Sequence, residues 1–132
     1  MKRKSYTGNN VSVSGPYSHA IDAGNYLFFS GQVAKNSTNY IEETGSIEEQ
    51  TKQCFVNLQE VMKTANVSLD DVVKVNVYLT QMKNFEAMNE VYKMMFKEPF
   101  PARTCVAVLE LPLGADIEIE VIVYKISNER ND

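Results

Sequence analysis

The segment Ile117-Glu118-Ile119-Glu120-Val121-Ile122-Val123-Tyr124 limits the possible folds more than any other. Its alternation has a period of two, so Ile117, Ile119, Val121 and Val123 share one face of a strand, and Glu118, Glu120, Ile122 and Tyr124 share the other. The first face is wholly apolar and must be buried by the chain itself. The second is half apolar and half charged, which suits neither a core nor a fully solvated surface. Two helices suffice to cover one face of such a sheet, so apolar residues on the other predict that a second copy of the chain covers it.

The remaining elements follow from periodicity and punctuation. Ser18 to Ala23 and Tyr26 to Val33 flank Gly24-Asn25, a pair that tolerates the positive φ of a two-residue hairpin turn. Lys2 to Tyr6 is a further short strand. Ser46-Ile47-Glu48-Glu49 has the form of a capping box, and Ile47, Thr51, Cys54, Leu58, Val61, Met62 and Ala65 then recur at spacings of three and four, predicting a helix to about Ala65. Phe85, Met88, Val91, Tyr92, Met95 and Phe96 predict a second helix that Pro99 and Pro101 prevent from continuing. Between them Val72 to Leu79 alternates, with Val73, Val75, Val77 and Leu79 assigned to one face. Thr104 to Leu111 and Ile117 to Ile126 are two more strands, joined across Pro112-Leu113-Gly114-Ala115. The order β-β-β-α-β-α-β-β describes an α+β protein, a mixed α/β sandwich, and its 132 residues have the length of one domain.

Composition narrows the function classes. A net charge of -4 opposes the attraction to phosphates that supplies most non-specific nucleic-acid affinity, so nucleic acid is an unexpected partner. No run approaches 18 apolar residues and no apolar segment follows Met1-Lys2-Arg3-Lys4, so neither a membrane span nor a signal peptide is expected, and the predicted location is the cytosol. Cys54 and Cys105 stand far apart in a predicted helix and strand, as two reduced thiols. With one histidine, His19, there is no zinc-type ligand cluster, and no phosphate-binding or dinucleotide glycine motif is present; neither metal nor cofactor is expected. The tail from Ser127 to Asp132 is short and polar, and is expected to fray.

A few polar residues stand in unusual surroundings. Arg103 follows Pro99 and Pro101 at the mouth of a strand, where a rigidly presented guanidinium would suit two-point binding of a carboxylate. Taken alone it reads first as a surface arginine with its stem laid over apolar neighbours. Glu118 and Glu120 could be a solvated edge pair, a reading that Ile122 and Tyr124 on the same face weaken. Gly15-Pro16-Tyr17-Ser18 forms a turn presenting an aromatic ring, and Ser30-Gly31-Gln32 places a glycine inside an apolar strand, where it marks a bulge or a close approach.

Together these blocks resemble the Rid (reactive intermediate deaminase) family, in its RidA branch, from about Gly15 to Tyr124. The resemblance is carried by Gly-Pro-Tyr-Ser at 15 to 18, Phe-Phe-Ser-Gly-Gln-Val at 28 to 33 and Asp-Asp-Val-Val-Lys-Val at 70 to 75. Phe85 with Asn89 and Tyr92, Pro-Ala-Arg-Thr-Cys-Val at 101 to 106 and Ile-Glu-Ile-Glu at 117 to 120 complete it. It implies a chorismate-mutase-like fold, a homotrimer whose sheets face a central barrel, and ligand clefts between subunits. It also implies roles: Arg103 holding a substrate carboxylate with the backbone near Cys105, Tyr17 lining the cleft, Ser30 and Gly31 shaping its wall, Glu118 handling water, and Asn89 nearby. The implied reaction is hydrolysis of 2-iminobutanoate, 2-iminopropanoate and their enamine tautomers, released by pyridoxal-phosphate enzymes, to 2-oxo acids and ammonia. Two departures stand out: His19 where many members have glutamine, and Val33-Ala34-Lys35-Asn36-Ser37 without the proline often found there. A ligand-sensing or chaperone-like trimer without turnover and an RNA-cleaving translation inhibitor rank second and third, since Arg103 and Glu118 are both present while the acidic charge and single histidine oppose a ribonuclease.

Overall fold

The computed structural model describes residues 2–34 and 45–126. The tail from Ser127 and most of the proline-lacking loop after Val33 lie outside these residues. The chain runs β1 (Lys4–Tyr6), β2 (Ala20–Asp22), β3 (Tyr26–Phe29), α1 (Ile47–Thr64), β4 (Val72–Leu79), α2 (Phe85–Met95), β5 (Ala102–Ala107) and β6 (Ile117–Tyr124). Six strands form one mixed sheet in the order β1-β2-β3-β6-β4-β5, so the predicted α+β order holds. Although β5 and β6 are consecutive, they do not pair. β4 lies between them, parallel to β5 and antiparallel to β6.

Local chemistry sets the element ends. In the β2–β3 hairpin the Ala23 N–H donates to Tyr26 O at 2.8 Å, leaving Gly24-Asn25 as the turn, and Gly24 has φ +92°. At the start of α1 the Glu49 N–H donates to Ser46 Oγ at 3.1 Å, and Glu49 Oε1 accepts from the Ser46 N–H at 2.9 Å. This reciprocal cap is worth about 1 kcal/mol.

The core lies between the helices and one sheet face. Val75, Val77 and Leu79 of β4 and Ile117, Ile119 and Val123 of β6 are fully buried there. Phe55 of α1 is also fully buried and meets Tyr92 and Phe96 edge-on, with centroids 6.0 and 5.6 Å apart, which fastens α1 to α2. Burial of one such side chain contributes roughly 1.5–3 kcal/mol.

Three sequence expectations require correction. The strand expected from Tyr26 to Val33 ends at Phe29, and Gln32 rejoins the sheet only through an isolated bridge to Ile119. Val73 does not share the face of Val75. Val72 pairs with Val123 and Lys74 with Ile122, so the extra residue Val73 bulges out, 42% exposed, and Val72 takes the inner position. The fifth strand begins at Ala102 and ends at Ala107, earlier than the predicted Thr104 to Leu111, because its parallel pairing with β4 runs from Lys74 to Leu79. Arg103 is therefore inside the strand, opposite Val75.

Two clefts form the candidate functional site

The first cleft is built where β3 ends. The Ser30 N–H donates to His19 O at 2.9 Å, and Ser30 Oγ donates to Ser18 O at 2.6 Å. Two residues later Gln32 exchanges a pair of backbone hydrogen bonds with Ile119, at 2.9 and 3.1 Å. Behind it the buried Asn57 Nδ2 of α1 donates to Val33 O at 2.9 Å. These bonds press Gly31 against β6 so closely that a Cβ there would lie 2.6 Å from Glu118 Oε2, hence the glycine inside an apolar run. Tyr17 Oη stands 3.4 Å from Ser14 Oγ and its side chain lines the cleft, whose volume is about 250 Å³.

Glu118 is half-buried in this cleft, and burial, helped by the negative charge of Glu120, pushes its carboxyl above the ordinary glutamate value. Glu120 lies on the same strand face, where its Oε1 accepts from Asn76 Nδ2 at 3.0 Å and from the Tyr78 hydroxyl. That carboxylate contact is the main reason the Tyr78 phenol is pushed up to about 12.

The second cleft centres on Arg103, whose Nη1 donates to Asn89 Oδ1 at 2.7 Å. Its Cζ lies 4.7 Å from the Tyr92 ring centroid and 5.5 Å from that of Phe85. Phe85, Asn89 and Tyr92 are spaced by four and three on α2, so one helical face presents two aromatic platforms and an amide oxygen to the guanidinium. A site of this kind holds the fork in one plane with further donors open to the cleft. The Tyr92 hydroxyl is buried without a hydrogen-bond partner, and burial pushes it up to about 12. Cys105 is half-buried on the same strand face; burial raises its thiol, so it stands as a neutral thiol and not a nucleophile.

His19, a departure of the sequence from its resemblance, is fully buried away from both clefts' chemistry. Its Nδ1 accepts from the Gly8 N–H at 2.9 Å, which leaves the proton on Nε2 to donate to Ser12 O at 3.0 Å. It braces the segment leading to Tyr17.

The sequence candidates thus fall into two groups. Tyr17, Ser30, Gly31 and Glu118 share the first cleft; Asn89 and Arg103 share the second, with Cys105 beside Arg103 on the strand. Within one chain the groups do not meet. Asn57 was missed, although its position three residues after Cys54 and four before Val61 places an amide in the predicted apolar stripe.

Residues 7–125 match the sequence profile described as endoribonuclease L-PSP. The protein mmf2 of Schizosaccharomyces pombe, named as mitochondrial, is 44% identical over 125 residues, covering 92% of this chain and 98% of that one. A protein of Dermatophagoides farinae named 2-iminobutanoate/2-iminopropanoate deaminase is 42% identical over 109 residues, 83% of this chain and 85% of its own. A Yersinia pestis protein described as a member of the conserved Rid family, of unknown function, superposes with a TM-score of 0.86 at 36% identity, covering 93% and 99% of the two chains. The chain belongs to the Rid family. Its sheet and two helices are those of the Rid structures it matches. Among the described residues, no helix of this Rid protein is long and apolar enough to cross a membrane.

Proposed function

We propose that the protein hydrolyses short 2-imino carboxylates, and the enamines that tautomerise to them, to 2-oxo acids and ammonia in clefts between the subunits of a homotrimer. The observation that carries this reading is the division of the site. An arginine on an aromatic platform, of the kind that suits a carboxylate, and a carboxyl group of raised pKa occur in separate half-clefts of one chain. Exposed Tyr26, Phe28 and Tyr124 on the open face of the sheet support its coverage by another copy.

The chemistry asks for few parts. Arg103 binds the substrate carboxylate, with Asn89 fixing the guanidinium in place. Protonation of the imine nitrogen makes its carbon electrophilic, and water adds to form a carbinolamine. Glu118 orients this water and accepts its proton, then returns that proton to the carbinolamine nitrogen; as ammonia leaves with the C–N bonding pair, the hydroxyl gives its proton to the Glu118 carboxylate and the C=O bond forms. A carboxyl group whose pKa lies above the ordinary glutamate value suits these transfers.

No cofactor or metal enters this scheme, and the substrates are imino and enamine carboxylates drawn from pyridoxal-phosphate enzymes. RNA cleavage, which the family description suggests, finds no support in a histidine whose two ring nitrogens are both committed to the backbone. The proposed location is the cytosol; relatives named as mitochondrial in two yeasts make the mitochondrion the competing one, and fractionation separates them. The deciding assay generates 2-iminobutanoate or 2-iminopropanoate in situ and follows 2-oxo acid release. Acceleration over the spontaneous rate supports the reading. Binding of 2-oxobutanoate without acceleration would replace it with ligand sensing.

A further inference from the structure

The turn Pro112–Gly114 between β5 and β6 carries a leucine in a conformation that favours glycine. Leu113 has φ 59° and ψ 23°, and Gly114 follows with φ +69°. Two successive left-handed residues are ordinarily supplied by Asn-Gly or Gly-Gly, and a leucine there is strained. Its side chain is also 54% exposed, so no core contact explains it.

The backbone nevertheless has little freedom to relax. The Ala115 N–H donates to Pro112 O at 3.1 Å, and the Thr80 N–H to Asp116 O at 3.1 Å. Gln50 of α1, itself buried, donates through Nε2 to Asp116 Oδ2 at 2.9 Å and accepts from the Asp116 N–H at 3.0 Å. The turn is bolted to the helix layer beside a strained, exposed apolar residue. Leu113, Pro112 and Val33 line the first cleft together with its polar residues Ser30 and Glu118.

We propose that Leu113 sets side-chain selectivity: with Val33 and Pro112 it forms the apolar wall against which the alkyl group of the bound imino acid packs. This assignment rests on the deaminase reading for the reaction but concerns the cleft's ligand. A wall of this kind rewards each added methylene up to the depth of the cleft and offers nothing to a charged side chain.

Leu113→Asn and Leu113→Gly test it, because both residues accept the left-handed backbone and preserve the turn. For wild type and both variants, kcat/KM is measured on 2-iminobutanoate and 2-iminopropanoate, and the affinities for 2-oxobutanoate and pyruvate are measured by calorimetry. The preference for the four-carbon over the three-carbon compound should fall about fourfold in both variants, the value of one buried methylene. Unchanged ratios in both variants would overturn the assignment, as would failure of the wild type to bind either 2-oxo acid. If wild type hydrolyses no imine yet the binding ratio falls as stated, the deaminase reading fails while the role of Leu113 stands.

Discussion

Arg103 and Glu118 lie on opposite faces of the same sheet. Arg103 pairs in parallel with Val75, whose side chain is in the core under the helices, while Glu118 is opposite Tyr78, between the inward-facing Ile117 and Ile119. Side chains alternate across a strand, so no movement of rotamers brings the two groups to one small ligand within a chain. If both serve one reaction, they come from different copies.

This geometry predicts complementation. Arg103→Ala alone should lower catalytic efficiency by about thirtyfold to several thousandfold, with Arg103→Lys recovering only part, since lysine keeps the charge but loses the planar grip. Mixing unfolded Arg103→Ala and Glu118→Gln chains and refolding them together should restore activity at about one quarter of the sites, since each intact site then draws Arg103 from one parent and Glu118 from the other. Activity no higher than that of the two parents, in mixed assemblies confirmed by mass, would place both residues' functions within one chain or outside the reaction.

Gly31→Ala should reduce turnover strongly while the assembly survives. The added Cβ would lie 2.6 Å from Glu118 Oε2, so the carboxylate must swing away from its place on the cleft wall. Wild-type turnover combined with an unmoved Glu118 in a crystal structure of the variant would refute this account.

Glu118 links activity to pH in a direction that stability also reports. Its carboxyl in the folded protein is raised by burial and by Glu120, so its contribution to stability is fully present below the unfolded glutamate pKa and is lost as pH rises through the raised value. At pH 7–8 the charged form is a burden on the fold. Glu118→Gln should therefore melt higher than wild type there and equally near pH 4, while losing turnover. Glu120→Gln removes the second cause and should move the acidic limb of the rate profile to lower pH. A lower melting temperature for Glu118→Gln at pH 8 would contradict the assignment.

His19→Ala should destabilise the protein by about 1–3 kcal/mol, because the buried Gly8 N–H loses its acceptor. His19→Gln offers one acceptor and one donor and should recover much of the loss. Chemical denaturation measures both, and equal stability of the alanine variant would remove the histidine from the bracing of the Tyr17 segment.

The sequence by itself determined the elements and nominated the candidate site residues. The alternation in β6, the capped stripe of α1 and the Gly24 turn depend on interactions within a few residues, so their periods and spacings are readable along the chain. The resemblance, which is legible in the sequence, also singled out Arg103, Asn89, Gly31 and Glu118. The bulge at Val73, the start of β5 at Ala102 and the insertion of β4 between β5 and β6 were decided by strand pairing, which joins segments far apart in sequence. The reason for Gly31 became visible only when the Gln32–Ile119 bridge brought it against Glu118. Tertiary structure likewise divided the site between two faces, because which side of a sheet a residue occupies depends on what covers each face, and that is a property of packing.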